Sequence, residues 1–307
     1  MSPVRVGVVG TGGLGQHHAR ILAELPRAEM VGVFDQRQEV AREVAARHGL
    51  EVHDSLECLA AASEALVLAI PTVAHTEVGC PLLERGLHLL VEKPMAASLE
   101  GADRLREAAA RGGGVLAVGH VEFYNPAVQA LLALGASPRF VEVQRLGVFS
   151  PRSLDVDVVL DLMIHDLQIL QALDGTPVAE IRATGVPVLS DRADIANVRL
   201  AFESGCVANL TASRVSSERV RKLRVFLASR YLSIDYQAQE VKGYRLEEAG
   251  GQRSIVPADI EVEKQEPLRA ELEAFLAACR GEAVSLVGGD GGRAALATAL
   301  AVMEQIG

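Results

Sequence analysis

An apolar run that stops in a glycine cluster, Val4 to Gly15, constrains the fold of this chain more than any other stretch. Gly10, Gly12 and Gly15 have the spacing G-x-G-x-x-G, and an amphipathic helical pattern follows them. In a dinucleotide-binding fold the first glycine makes a tight turn, the second lets the backbone approach a pyrophosphate, and the third allows helix and strand to pack closely. The stretch therefore predicts a strand, a phosphate-binding loop and a helix whose positive N-terminal end faces the anion.

The residue that follows the second apolar run, Met30 to Phe34, is Asp35, 20 residues beyond Gly15. An acid at this distance is typical of the site for the adenosine ribose. A carboxylate accepts hydrogen bonds from the 2'-hydroxyl group and repels a 2'-phosphate, so Asp35 favours NAD over NADP. Arg37 leaves NADP open, because its guanidinium could pair with a 2'-phosphate if Asp35 moved aside. Otherwise Arg37 is a solvated residue at the start of a helix.

Short apolar runs alternate with helical patterns from residue 4 to about residue 119, which predicts a parallel sheet with helices on both faces. The predicted strands are Val4 to Val9, Met30 to Phe34, Ala65 to Ile70, His88 to Val91 and Val115 to Val118. The helices that follow the first one are predicted at Glu39 to His48, Ala74 to Arg85 and Leu99 to Arg111. Ligands of such sheets bind beyond the carboxyl ends of the strands, so the residues that follow each strand are candidates for a site.

The third strand is followed by Pro71, Thr72 and His75, which would lie along the nicotinamide half of a cofactor. A proline turn, a threonine N-cap and a histidine in the first helical turn also explain these residues. Together with the loop residues, the predicted cofactor contacts are Gly10, Gly12, Gly13, Leu14, Gly15, Asp35, Arg37, Pro71, Thr72, His75, Glu92 and Lys93.

Lys93 is the only lysine before Lys222, and 26 of the 30 basic residues are arginine. Arginine stays protonated, whereas the surroundings of a lysine can tune it to exchange a proton. Lys93 stands between Glu92, whose carboxylate can hold the lysine, and Pro94, which restricts the backbone before it. The segment predicts a lysine with a chemical role at the end of the fourth strand.

A largely apolar stretch from Asp155 to Leu173 predicts a helix that is buried on most sides. At about 100° per residue, Asp157, Asp161, His165 and Gln168 fall within about 80° of arc. A polar stripe on a buried helix needs partners, so it is expected to line a cleft. A carboxylate one turn before a histidine can hydrogen-bond it, which favours a functional His165. The alternative is a core histidine whose hydrogen bonds are satisfied.

Four motifs in order, G-x-G-x-x-G, Pro71-Thr72-x-x-His75, Glu92-Lys93-Pro94 and Asp161-x-x-x-His165, resemble those of the glucose-fructose oxidoreductase / inositol dehydrogenase / rhizopine catabolism (Gfo/Idh/MocA) family. The resemblance covers essentially the whole chain. It implies an α/β protein with an N-terminal Rossmann domain, a doubly wound parallel sheet, over residues 1–120. An α/β domain with an open, mostly antiparallel sheet would follow over residues 121–307, with the active site between the two and the C-terminal helix packed back on the first domain.

Apolar and polar residues alternate from Ile181 to about Val256, as in a half-buried antiparallel sheet. Two helices are predicted to close the chain, Pro267 to Cys279 and Gly292 to Ile306, and the glycines around the start of the second are interpreted as a linker. The face of the sheet that helices leave open is expected to pair with another copy of the chain, as a homodimer or homotetramer that light scattering would detect.

Oxidation of a secondary alcohol requires a hydride acceptor and a base for the hydroxyl proton, and a nicotinamide supplies the first. His165 is the predicted base, because histidine titrates near neutrality and Asp161 would orient the ring and stabilise the imidazolium. Lys93 would hydrogen-bond the reacting oxygen. The family resemblance implies the same roles for these three residues.

Further substrate contacts are predicted at Tyr124, Asn125 and Arg145. The family frequently has an Arg-Phe-Asn-Pro type sequence where this chain has Phe123-Tyr124-Asn125-Pro126, so a contact at position 123 is left open. Arg145 and Arg214 could hold anionic groups of a substrate or form surface ion pairs.

The run from Leu160 to Asp166, with Gly119-His120-Val121-Glu122 before it, resembles a subgroup of the family that includes UDP-N-acetylglucosamine 3-dehydrogenases. We therefore expect an NAD-dependent oxidoreductase acting on a secondary alcohol of a sugar, cyclitol or nucleotide sugar, with the 3-hydroxyl of UDP-N-acetylglucosamine as the first candidate. Two alternatives stay open: an NAD-dependent glycosidase that oxidises a sugar transiently, and a non-catalytic regulatory protein that responds to NAD.

The composition argues against other classes of function. The net charge is -10, from 30 basic and 40 acidic residues without a basic block, which argues against a nucleic-acid partner. Apolar runs fall short of the ~20 residues of a membrane span, and the first strand starts at residue 4, so we expect a cytoplasmic protein. The four cysteines are dispersed and lack metal-ligand spacing, so neither a metal nor a disulfide is predicted.

Overall fold

The computed structural model describes residues 2–149 and 156–307, which form two compact units. The first unit contains the chain up to Val121 together with Glu266–Arg293. The second unit contains Glu122–Gln265 and Ala294–Gly307. The sequence-based division assigned all of residues 121–307 to the second domain, whereas one late helix supplies apolar residues to the core of the first unit.

A five-stranded parallel sheet forms the centre of the first unit, in the order β2-β1-β3-β4-β5. Its strands are β1 (Val4–Val9), β2 (Ala28–Phe34), β3 (Ala65–Leu68), β4 (His88–Glu92) and β5 (Leu116–Gly119). Its helices are α1 (Gly15–Glu24), α2 (Gln38–His48), α3 (Leu56–Ala62), α4 (Thr72–Glu84), α5 (Leu99–Gly112) and the late α8 (Pro267–Cys279). The strand order reverses between β1 and β3, and ligands of open α/β sheets bind at such a point.

Burial on both faces explains why these apolar runs form a parallel sheet. All four residues of β3 are buried, as expected for a strand covered by helices on both sides. Leu272 and Phe275 of α8 lie in the same core as β1 and α1. The helix α3 was not predicted; it begins after Ser55, whose Oγ accepts a hydrogen bond from the Cys58 backbone at 3.1 Å.

The second unit is built on an eight-stranded sheet in the order β13-β12-β11-β10-β6-β9-β8-β7. Its strands are β6 (Phe140–Val148), β7 (Val178–Val186), β8 (Ile195–Phe202), β9 (Val207–Ser216), β10 (Val220–Phe226), β11 (Arg230–Asp235), β12 (Glu240–Ala249) and β13 (Gln252–Pro257). Its helices are α6 (Pro126–Leu132), a π-helical turn (Val159–Met163) and α7 (Ile164–Asp174). The pair β6 and β9 is parallel, and the other neighbours are antiparallel.

The pairing of these strands confirms the predicted α/β class with an open, mostly antiparallel sheet. One face of the sheet is apolar and the other is polar. Ala196, Val198 and Leu200 of β8 are buried in the core of the second unit. On the other face, Asn197 Nδ2 donates to Thr211 Oγ1 at 2.9 Å across the neighbouring strand. Among the described residues, no helix is long and apolar enough to cross a membrane.

The helix α9 (Gly289–Ile306) corrects the interpretation of the late glycines as a linker. It begins three residues earlier than predicted, so Gly289, Gly291 and Gly292 lie in its first turns. A Cβ at Gly292 would lie 2.5 Å from Val118 Cγ2, so this glycine allows the helix to approach β5 closely.

Candidate active site

The glycine loop after β1 has the three features that its spacing predicts. Gly10 has a φ of 84°, which favours glycine and makes the turn. A Cβ at Gly15 would lie 1.8 Å from the Gly10 carbonyl oxygen, so only glycine lets α1 start so close to the strand. A Cβ at Gly13 would meet no atom within 4 Å, and Gly12 has Arg37 Nη2 at 4.0 Å as its nearest neighbour. The tip of the loop is therefore open to a pyrophosphate, and Leu14 beside it is exposed.

Asp35 follows β2 at the same edge of the sheet and is held firmly. Its Oδ2 accepts hydrogen bonds from the Thr11 backbone at 2.8 Å and from Thr11 Oγ1 at 3.2 Å. Its Oδ1 accepts one from the Arg37 backbone at 2.9 Å. The Arg37 side chain is 66% exposed, with Nε 3.8 Å from Asp35 Oδ1. Because three donors fix the Asp35 carboxylate, it is poorly placed to move aside for a 2'-phosphate.

The segment after β3 has a structural histidine. Pro71 is the N-cap residue and Thr72 the first residue of α4, so the threonine is not the cap. His75 is fully buried, with Nδ1 3.1 Å from the Pro94 carbonyl oxygen and Nε2 2.9 Å from the Ile70 carbonyl oxygen. Burial lowers the pKa of His75, so the ring is neutral and donates one hydrogen bond. The ring has no exposed surface, and the contact of His75 with a cofactor stays a prediction.

Lys93 follows β4 and is partly exposed, and the Lys93-Pro94 peptide bond is cis. Its backbone N–H donates to Glu92 Oε2 at 3.2 Å. Glu92, which is predicted to contact the cofactor, is only 7% exposed, so most of its surface is buried in the interior.

His120 adjoins Lys93, and the sequence marks it as a candidate without a specific role, because it follows the fifth strand. Glu92 and Gly119 are register partners in β4 and β5, so Lys93 and His120 leave neighbouring strands together. Burial, and then the positive charge of Lys93, lower the pKa of His120 to about 3. His120 is therefore a neutral ring beside the lysine, and its position after a parallel strand was the signal for it.

The polar stripe of the second unit lies on a helix that starts with a π-helical turn, Val159–Met163. Asp157 precedes it, and the Asp157 carboxylate accepts the Val159 N–H at 2.8 Å. Asp161 lies in the π-helical turn and is partly buried, and His165 is the second residue of α7 at 8% exposure. A π-helical turn winds more widely than the regular helix assumed for the stripe, and such turns are frequent at functional sites. Asp155 lies outside the described residues.

Arg145 is buried and bound to two acids, so its ion pairs are buried rather than at the surface. Its assignment as a substrate contact stays a prediction. Its Nε and Nη2 each donate to the Asp166 carboxylate at 2.7 Å, and its Nη1 donates to Glu122 at 2.6 Å. The Arg145 side chain is 3% exposed. Burial alone would lower the pKa of Arg145, but the charges of Asp166 and Glu122 outweigh it and raise that pKa. Asp166, the residue after His165, therefore forms a buried ion pair with Arg145.

The other predicted contacts of the second unit are also buried. Asn125 caps α6, accepting the Ala127 N–H at 3.1 Å and donating from Nδ2 to the Tyr236 carbonyl oxygen at 2.9 Å. This structural role accounts for its amide, and its assignment to a substrate stays a prediction. Tyr124 is 4% exposed, and its assignment stays a prediction. Arg214 pairs with Asp194 at 2.7 Å at 8% side-chain exposure, so it forms a buried ion pair rather than a surface one.

Comparison with known proteins covers both units. A family model described as an oxidoreductase family with an NAD-binding Rossmann fold matches residues 4–120, and a model of the Gfo/Idh/MocA C-terminal domain matches residues 140–229. The UDP-N-acetylglucosamine 3-dehydrogenase of Acidithiobacillus ferrooxidans is 38% identical over 98% of this chain and 97% of its own length. A solved structure of that enzyme has a TM-score of 0.92 at 37% identity, covering 100% of this chain and 98% of its own.

The chain is also similar to a more distant relative and to a further solved structure. The scyllo-inositol 2-dehydrogenase (NAD(+)) of Bacillus subtilis is 27% identical over 69% of this chain and 68% of its own length. A levoglucosan dehydrogenase solved with NADH and levoglucosan has a TM-score of 0.86 over 99% of this chain and 97% of its own, and at 18% identity this likeness shows the fold alone. The full-length similarity and the two matched domains show that this chain belongs to the Gfo/Idh/MocA oxidoreductase family, with its NAD(P)-binding Rossmann domain in the first unit.

Proposed function

We propose that this protein is an NAD-dependent dehydrogenase that oxidises a secondary alcohol of a nucleotide sugar, with the 3-hydroxyl of UDP-N-acetylglucosamine as the substrate group. The observation that carries the proposal is the carboxyl edge of the first sheet, where the open glycine loop, Asp35 and Lys93 follow three strands of one sheet. A cofactor and a proton-exchanging group would meet at such an edge. The full-length similarity to a UDP-N-acetylglucosamine 3-dehydrogenase supports the substrate.

Three side chains would handle the proton of the substrate hydroxyl. The nicotinamide, when bound, accepts the hydride. His165 acts as the base, Asp161 one turn earlier stabilises the charged ring, and Lys93 hydrogen-bonds the reacting oxygen. The glycine loop holds the pyrophosphate, and the Asp35 carboxylate accepts hydrogen bonds from the adenosine ribose.

Asp35→Ala tests the choice of cofactor. The variant loses hydrogen bonds between a carboxylate and the ribose, so its Kd for NAD should rise about 10- to 100-fold and its preference for NAD over NADP should narrow. Isothermal titration with each dinucleotide measures both. Arg37→Ala is the control and should leave NAD affinity nearly unchanged. A wild-type preference for NADP that Arg37→Ala abolishes would show that the assignment to NAD is wrong.

A partly exposed arginine near the helix of His165, Arg221, supports an anionic substrate. Arg145 binds Asp166, the residue after His165, and Arg221 is the cross-strand neighbour of Arg145. Burial, followed by the charge of Arg145, lowers the pKa of Arg221. The Arg221 side chain donates to Glu122 at 3.0 Å yet is 37% exposed, so an anion can approach it. The diphosphate of a nucleotide sugar is an anion that can pair with Arg221, whereas a neutral cyclitol carries no such charge.

The experiment is incubation with NAD and a panel of UDP-N-acetylglucosamine, UDP-glucose, N-acetylglucosamine and inositols, read by NADH absorbance and by glycoside release. We expect UDP-N-acetylglucosamine to give the highest kcat/KM. Arg221→Gln should raise the KM for the nucleotide sugar about tenfold, because it removes a charge-assisted hydrogen bond. Arg224→Gln, on the same strand and paired with Glu142, should not change it. Glycoside release without net NADH, or reduction of NAD by inositols alone, would contradict the proposal.

A further inference from the structure

Three ionisable side chains lie together in the interior of the first unit. They are His18 on α1, Glu92 at the end of β4 and Glu271 on α8. One nitrogen or oxygen atom of each lies within 4.8 Å of those of the other two. His18 and Glu271 have no exposed surface, and Glu92 has 7%. The dehydrogenase reaction described above has no part for His18 or Glu271.

Glu92 is the hydrogen-bonded centre of this trio. His18 Nε2 lies 2.7 Å from Glu92 Oε1, and the Lys93 backbone N–H donates to Glu92 Oε2 at 3.2 Å. Because an ionised carboxylate only accepts hydrogen bonds, His18 Nε2 carries the proton of the first contact. A Cβ at Gly119 would lie 2.9 Å from the Glu92 carboxylate, so the glycine leaves it space. The Glu92 side chain therefore connects α1 to the backbone of Lys93.

Glu271 lacks what an ionised carboxylate needs. Among the residues that the structure describes, no hydrogen-bond donor reaches either oxygen of Glu271. His18 from α1 and Glu92 from β4 are titratable groups that face it. Burial, and then the negative charge of Glu92, raise the pKa of Glu271 well above its ordinary value. Two like charges this close in the interior cannot both persist, and a proton on one of them resolves the conflict.

We propose that Glu271 is a neutral carboxylic acid that donates a hydrogen bond to Glu92, and that the trio of His18, Glu92 and Glu271 positions Lys93. A divalent cation is the competing occupant of such a cluster, but it would have to displace the proton that His18 Nε2 shares with Glu92. The protonation of Glu271 stands independently of the reaction. The consequence for Lys93 rests on the proposed function.

The protonation is tested without substrate by the pH dependence of unfolding of Glu271→Gln. The folded protein keeps the Glu271 proton at pH 7 and the unfolded chain releases it, so the stability of the wild type falls as pH rises above the ordinary pKa of glutamate. The slope of the free energy of unfolding against pH gives the number of protons released on unfolding. The wild type should release about one proton more than Glu271→Gln does. Glu273→Gln, the same change two residues further along α8, is the control and should match the wild type. Equal proton release by wild type and Glu271→Gln would overturn the proposal, as would a stoichiometric divalent metal in the purified protein.

The positioning role is tested by kinetics. Glutamine is neutral and can still donate to Glu92, so Glu271→Gln should keep kcat within about twofold. In Glu271→Leu the side chain cannot donate a hydrogen bond to Glu92, so we expect Glu92 and the backbone of Lys93 to move. This displacement of Lys93 should lower kcat about 10- to 100-fold with little change in the Kd for NAD. Full turnover in Glu271→Leu, with Lys93→Met inactive, would overturn the positioning role. If Lys93→Met is also fully active, the proposed function fails, while the proton count still decides the state of Glu271.

Discussion

Replacing Lys93 with methionine is expected to lower kcat by about 10²- to 10⁴-fold while NAD binding is retained. Methionine keeps the length of the side chain and removes the ammonium group that stabilises charge on the reacting oxygen. The measurement is steady-state turnover on the nucleotide sugar, with NAD affinity determined separately by titration. Lys222→Met, at a lysine with a 43% exposed side chain in the second unit, is the control and should retain full turnover.

The same experiment asks whether Lys93 and His165 serve one proton transfer. His165→Ala should by itself cost a comparable factor, about 10²- to 10⁴-fold. The double variant should lose far less than the product of the two losses, because residues that act as a unit are not additive. Near wild-type turnover in His165→Ala would mean that the histidine has only a structural role in α7. Lys93 alone would then handle the proton.

Replacing Arg145 with methionine is expected to destabilise the protein by about 3–5 kcal/mol. The substitution leaves the carboxylates of Asp166 and Glu122 buried without their main partner. Urea denaturation at pH 7 measures the loss.

Arg224→Met is the matched control for this prediction. Arg224 pairs with Glu142 at 3.2 Å on β6, and both side chains are partly exposed. Solvent screening makes such pairs weak, so the loss should stay below about 1 kcal/mol. An equal loss in the two variants would mean that the burial of Arg145 does not matter to its contribution.

The glycine loop could be predicted from sequence because the residues that need one another are close neighbours in the chain. Gly10 makes the turn and Gly15 avoids the Gly10 carbonyl oxygen, so a five-residue spacing encodes both requirements. The parallel sheet could also be predicted from the sequence, because strands that are covered on both faces appear as continuous apolar runs.

The buried polar contacts could not be predicted in this way. Arg145 and Asp166 are 21 residues apart, and His18 and Glu92 are 74 residues apart, so no local periodicity connects them. His18 lies on the apolar side of the helical pattern that follows the glycine cluster. Its hydrogen bond to Glu92 is apparent only in the structure, where α1 lies against β4. The π-helical turn at Asp161 was missed for a related reason, since a periodicity argument assumes a uniform helix.

The return of α8 to the first unit sets the order in which that unit can be completed during synthesis on the ribosome. β1 and α1 are made first, yet their core includes Leu272 and Phe275, which are added near the end of the chain. A nascent chain of the first 121 residues therefore keeps apolar surface exposed while most of the second unit is synthesised. In a protein whose domains are continuous in sequence, folding from the N-terminus would already have buried such a surface. The first unit, whose strands and helices are translated first, can complete its core only after most of the second unit has been made.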